Sequence, residues 1–151
     1  MNTLTDKQKN RILFFNDLFE SNQLPSKTGA EVLMLSSKFI KIEDLFRKEV
    51  KKDFMQKKIF FMSSYTTYPL TMILKLHLYS QGVIPEFYEG SYGNMVFELM
   101  DKESKFYSFN PDILLLMTDH NDIKDYPPLF AKKEVDLWVE EKLHHYQQLW
   151  N

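Results

Sequence analysis

The chain has no cysteine among its 151 residues. It therefore offers no disulfide, no thiolate nucleophile and no cysteine-ligated metal, a usage that fits a reducing cytoplasm. Glycine is scarce, with four residues, which argues against sandwiches and barrels built on many tight turns. Charge of one sign is lacking too: 19 Lys and Arg against 21 Asp and Glu leave a net charge of -2, no electrostatic footprint for nucleic acid. The N-terminus "MNTLTDKQKN" is polar, without the apolar core of a signal peptide. No apolar run reaches the length of a membrane span. What abounds is core material. The chain is 44% hydrophobic and 15% aromatic, with 13 Phe and 8 Tyr, enough for one globular unit.

Two amphipathic segments come first. Residues 5–22 place Ile12, Phe15 and Phe19 at helical spacing, with Thr5 or Asp6 as cap. "QLPSKTG" reads as a break. Residues 38–52 place Phe39, Ile42 and Phe46 on one helical face. The mixed-sign run "RKEVKKDFMQKK" reads as a solvated helix end and linker.

The pattern then changes. "KIFFMS" is a continuous apolar run, as in a strand covered on both faces. A helix follows, with Pro69 in its first turn, Leu70, Ile73, Leu74, His77 and Leu78 as its core stripe, and Gly82 as left-handed cap. "VIPEFYE" is a weaker strand, and Pro85 points to an edge position. "SYGNMVFELMD" is a helix burying Tyr92, Met95, Val96 and Leu99; "PDILLLMTD" is a third strand. The last helix, "AKKEVDLWVEEKLHHYQQLW", sets Val135, Trp138, Val139, Tyr146 and Trp150 on one side. Strands alternating with helices imply a parallel sheet with right-handed crossovers. The expected organisation is an N-terminal helical extension over residues 1–52 and an α/β domain over 53–151.

In open α/β sheets ligands bind beyond the C-terminal ends of the strands. Three loops qualify: "SSYTTYP", "EGSYGN" and "TDHNDIKDYPP". Together they supply Ser63, Ser64, Thr66, Gly90, Tyr92, Asp119, His120, Asn121 and Asp122. Ser64 reads two ways, as a nucleophile that needs a base and oxyanion donors, or as an ordinary helix N-cap. His120 is a general base or ligand, or part of a polar turn whose Asp and Asn bond their own backbone. His144 and His145 are adjacent on a helix and diverge. His77 falls on the core stripe. There is no Walker loop, GxGxxG or HExxH.

The order of pieces, "SSYTTYPL", "YSQGV", "YEGSYGNMVFELMDKES", "NPDILLLM", resembles the N-terminal domain of FkbH-like proteins over about residues 57–123. The resemblance implies an SGNH-hydrolase-like module. In that family it is usually joined to a phosphatase-like domain of the haloacid dehalogenase superfamily, which carries a DxD motif, binds magnesium and, in some members, loads a glyceryl unit onto an acyl carrier protein in polyketide and related biosynthesis. No DxD occurs here. Of the SGNH motifs, the GDS triplet corresponds to Met62, Ser63 and Ser64, so the serine place is kept while glycine and aspartate are gone. The GxND motif corresponds to "DHND", which keeps Asn121 and Asp122 with Asp119 for glycine. The late DxxH is absent; "EKLH", Glu141 to His144, has the spacing but sits inside a helix.

The fold expected is α/β, a three-layer flavodoxin-like or SGNH-like parallel sheet of about three strands, with the first strand central. The function expected is a non-catalytic accessory domain that recognises its ligand at the strand ends, near Ser63, Ser64, Thr66, Gly90, Tyr92, Asp119 and Asn121. The resemblance implies docking of an acyl carrier protein or partner biosynthetic enzyme; the residues themselves give the expectation of no cofactor, metal, nucleic acid or membrane. The alternatives are an esterase or acyltransferase, with Ser64 as nucleophile, Asn121 as oxyanion donor and His120 or His144 as base, and a fragment of a longer FkbH-like glyceryl-transfer enzyme. Oligomeric state stays open.

Overall fold

The computed structural model describes residues 4–91, 94–118, 126–128 and 130–148. Its elements are α1 (Asp6–Glu20), a 3-10 turn (Leu24–Ser26), α2 (Gly29–Ile40), α3 (Glu43–Glu49), β1 (Met55–Ser63), α4 (Tyr68–Ser80) and β2 (Val83–Glu89). Then come α5 (Met95–Met100), α6 (Lys105–Phe109), β3 (Ile113–Met117) and α7 (Lys132–Gln148). The architecture is α/β with an open three-stranded parallel sheet in the order β2-β1-β3. β1 is central, as the sequence implied. β1 and β3 pair in parallel from Ile59 opposite Ile113 to Ser63 opposite Met117. Among the described residues no helix is long and apolar enough to cross a membrane.

Two compact units arise, Met1–Lys57 with Thr67–Glu86, and Lys58–Thr66 with Phe87–Asn151. The first is helical and aromatic. α1 starts in a capping box: Gln8 N–H donates to Thr5 Oγ1 at 3.3 Å, and Thr5 N–H donates to Gln8 Oε1 at 2.9 Å. α2 repeats the device with Thr28 and Glu31. The backbone N–H of Thr28 and then its hydroxyl hold the Glu31 carboxyl below its ordinary pKa. The expected helix over 38–52 is thus two helices. α2 begins at Gly29, the chain turns at Lys41 and Ile42, and α3 ends at Glu49. The turn lets Phe39, Ile42 and Phe46 all reach the core. Ring contacts tie Phe15, Phe19, Phe39, Phe46 and Tyr79 together, with centroids of neighbouring rings 4.8–6.1 Å apart.

α4 carries Pro69 in its first turn, as expected. Its buried residues are Thr71, Leu76 and Tyr79, whereas the expected stripe from Leu70 to Leu78 is only half-buried, with Leu70 exposed. Apolar side chains surround this helix, so periodicity alone did not select the face that meets α2. Gly82 ends it at φ 76°, a left-handed conformation that glycine adopts without steric cost.

Tyr79 also anchors a polar link in this core. Its hydroxyl donates to Glu43 Oε1 at 2.9 Å, and Lys75 Nζ donates to Glu43 Oε2 at 2.8 Å. Burial, then the Glu43 charge and hydrogen bond, push the Tyr79 pKa well above its ordinary value. An unfolded tyrosine ionises near about pH 10; the folded one keeps its proton. Above that pH the unfolded state binds fewer protons, so this contribution, complete below pH 10, is lost as pH rises. Tyr79→Phe should therefore cost about 1–3 kcal/mol at pH 8, and the gap to wild type should narrow at pH 11. Urea midpoints of both proteins at the two pH values check this.

The second unit is built around β1, whose residues Ile59–Met62 are buried without a break. Phe60 stacks on Tyr88, with centroids 5.0 Å apart, and meets Phe106 and Phe109 edge-on. Phe61 meets Phe87. The expected helix after β2 is shorter than read, and its buried residue is Glu98. Met95, Val96 and Leu99 are half-buried, and Tyr92 lies outside the described residues. Glu98 is held because it organises the next turn: Ser104 Oγ donates to its carbonyl at 2.7 Å, and Phe106 N–H donates to its carboxylate at 3.3 Å. In α7, Val135, Trp138 and Tyr146 are half-buried on one side, while Val139 is exposed and Trp150 lies outside the described residues.

Candidate functional site

The C-terminal end of β1 holds both the chain leaving β2 and the last residue of β3. Gly90 N–H, just past β2, donates to Phe61 O at 2.8 Å. Ser64 N–H donates to Met117 O, at the end of β3, at 3.3 Å. The four residues Phe61 to Ser64 thus hold the chain leaving β2 and the end of β3 against one edge. This is the position at which an open α/β sheet presents its ligand site.

Ser63 and Ser64 are half-buried there; Tyr65 and Thr66 are exposed. The Ser63 hydroxyl donates to Tyr65 O at 2.8 Å and accepts from Tyr65 N–H at 3.1 Å. This is a local serine turn. With its proton directed at a backbone carbonyl, Ser63 is poorly placed to act as a nucleophile. Ser64 is not the helix cap. The N-cap of α4 is Thr67, which makes no side-chain capping bond. The cap position thus falls to a threonine of the same strand-to-helix segment and not to Ser64.

Gly90 has a packing role that its sequence did not announce. A Cβ built there would lie 2.8 Å from Phe60 Cε1 and 3.3 Å from Phe61 O. A side chain at this position would require the Phe60 ring or the Gly90 backbone to shift.

Asp119, His120, Asn121, Asp122 and Tyr92 lie outside the described residues. His144, the other base considered, is exposed on α7, with its Nε2 3.0 Å from Gln148 Nε2, one turn on. Glu141 and His144 are inside this helix, as the "EKLH" reading expected. His77 is half-buried on α4 rather than packed in the core. An open groove of about 440 Å³ lies in the helical unit, lined mainly by Leu4, Ile12, Leu13 and Val50; it includes none of the candidate residues.

The fold and the strand-end loops define an open α/β domain of the doubly wound kind. A solved structure from Bacteroides fragilis shares this arrangement, the N-terminal part of the protein BF1531 containing a phosphatase domain, complexed with Mg. The likeness has a TM-score of 0.52 at 18% identity and covers 68% of this chain. It shows the fold. The present chain spans about a quarter, 27%, of the length of that one. No protein-family model and no curated protein matches the sequence.

Proposed function

We propose that this chain is a non-catalytic recognition domain related to the N-terminal module of FkbH-like proteins. It binds at the C-terminal edge of the sheet, around Ser64, Thr66 and Gly90. Its ligand class is the acyl or phosphopantetheine arm of a carrier protein, presented to a catalytic partner that is a separate chain or another part of a longer protein. The observation that most supports this reading is the tied rim at the end of β1, where backbone hydrogen bonds from Gly90 and Ser64 fasten neighbouring strand ends in place. A preformed polar rim suits recognition, because little ordering entropy remains to be lost on binding. The ordered resemblance over residues 57–123 and the fold shared with the N-terminal part of a phosphatase-containing protein point the same way.

The position of Ser64 at the end of the central strand favours one competing reading, an SGNH-like esterase or acyltransferase with Ser64 as nucleophile. A serine-directed fluorophosphonate separates the two. Under the recognition reading, the wild-type chain and Ser64→Ala give the same background labelling. Stoichiometric labelling that Ser64→Ala abolishes would establish the enzyme instead.

A further inference from the structure

The structure assigns Ser63 as the positioning residue of this rim: its hydroxyl, by bonding both backbone groups of Tyr65, sets the course of Ser64–Thr66 and so the surface that a ligand meets. This rests on the recognition reading and adds to it the residue that shapes the site.

Ser63 is the last residue of β1, and the chain must leave the strand there to reach α4 at Tyr68. An exposed segment of this kind ordinarily samples several backbone courses. Here one serine side chain supplies an acceptor to Tyr65 N–H at 3.1 Å and a donor to Tyr65 O at 2.8 Å. The backbone groups of one residue are thus satisfied by a single hydroxyl anchored in the sheet. β1 is rigid at that point, since Phe61 and Met62 are buried and Ser63 is paired with Met117. The consequence is transmitted one residue on. Ser64 is bracketed by the turn on one side and by its own N–H bond to Met117 O on the other. Two neighbouring serines therefore divide the work: Ser63 holds the backbone, and Ser64 stands at the rim.

Threonine keeps the hydroxyl and alanine removes it, so the pair isolates the bond from the volume. The full chain is studied as wild type, Ser63→Ala and Ser63→Thr, first by amide hydrogen exchange resolved at Tyr65. Ser63→Ala should speed Tyr65 exchange by about tenfold, the loss expected for one hydrogen bond. Exchange in α2 should be unchanged, and Ser63→Thr should return Tyr65 to within about threefold of wild type. Binding of a carrier protein bearing 4′-phosphopantetheine should weaken by about fivefold or more in the alanine variant and recover in the threonine variant. Unchanged Tyr65 exchange in Ser63→Ala, or failure of threonine to restore it, overturns the assignment. So does carrier binding that the alanine variant leaves intact while Tyr65 exchange rises. If the wild type itself does not bind the carrier, the recognition reading fails, and Tyr65 exchange still decides whether Ser63 holds the loop.

Discussion

Phe39→Ala should lower the unfolding free energy by about 3–5 kcal/mol, the range for deleting a buried aromatic ring. Phe39 is 0% exposed and sits at the hub of the helical core. Its ring centroid is 5.1 Å from Phe15, 5.4 Å from Phe19, 5.4 Å from Phe46 and 4.8 Å from Tyr79. Removing it withdraws one edge or face from each of these contacts at once, and each neighbour is itself buried. Aromatic partners cannot collapse smoothly into the space, so the cavity term adds to the lost transfer energy. Against a typical total of about 5–15 kcal/mol, such a loss leaves a marginal protein. Phe14→Ala is the control. Phe14 is about half exposed, and its ring meets Phe15, so its loss should cost far less. Urea unfolding followed by far-UV circular dichroism measures both. Equal effects for the two variants would mean that Phe39 is not the hub.

Gly90→Ala should cost about 1–3 kcal/mol through overpacking, without any demand on φ. The new methyl would lie 2.8 Å from Phe60 Cε1. Whether that ring can yield decides the size of the effect. Phe60 is fully buried, with Tyr88 stacked on one side and Phe106 and Phe109 at its edges. A retreat would therefore disturb three further rings. Moving Gly90 away instead stretches its 2.8 Å bond to Phe61 O and loosens the post-β2 part of the proposed site. Gly29→Ala provides the contrast. Nothing lies within 4 Å of a Cβ at Gly29, and alanine lowers the entropy of the unfolded chain, so that variant should be neutral or stabilising by up to about 1 kcal/mol. Thermal unfolding of the two glycine variants side by side checks the difference in sign.

The strands were readable because burial on both faces leaves an unmistakable apolar run, as in Ile59–Met62, and because β2 is bounded by Gly82 and Gly90. Pro69 and Gly82 marked the ends of α4 for reasons of backbone chemistry that hold in any fold. The start of α2 carries a capping-box pattern in Thr28 and Glu31, but it lies at the end of the "QLPSKTG" break, and the apolar spacing alone placed the helix later, from residue 38. The buried face of α4 was not readable. Leu70, Met72, Ile73, Leu74, Leu76 and Leu78 put apolar groups on every side, and only the tertiary partner selects among them. Glu98 was missed because a buried carboxylate is recognised by what it bonds, here the start of α6, and that partner is fixed by the turn between α5 and α6.

At the site, the sequence placed Ser63 and Ser64 at the correct strand end but did not divide their roles. A serine can bond its own backbone two residues on or point outward, and composition is the same in both cases. Likewise, Gly90 was singled out for ligand binding, while its fit against Phe60 depends on a close approach between β1 and the chain leaving β2. Such a distance has no signature along the chain.

Under the proposed function, the C-terminal edge of the sheet recognises a carrier-borne group. Its most direct test is a titration of the ¹⁵N-labelled chain with a carrier protein bearing 4′-phosphopantetheine, and with the same carrier lacking it, followed amide by amide. Shifts centred on Ser63–Thr66 and Gly90–Ser91 that need the phosphopantetheine arm are expected. No shifts at these amides, or shifts of equal size with the unmodified carrier, would contradict it.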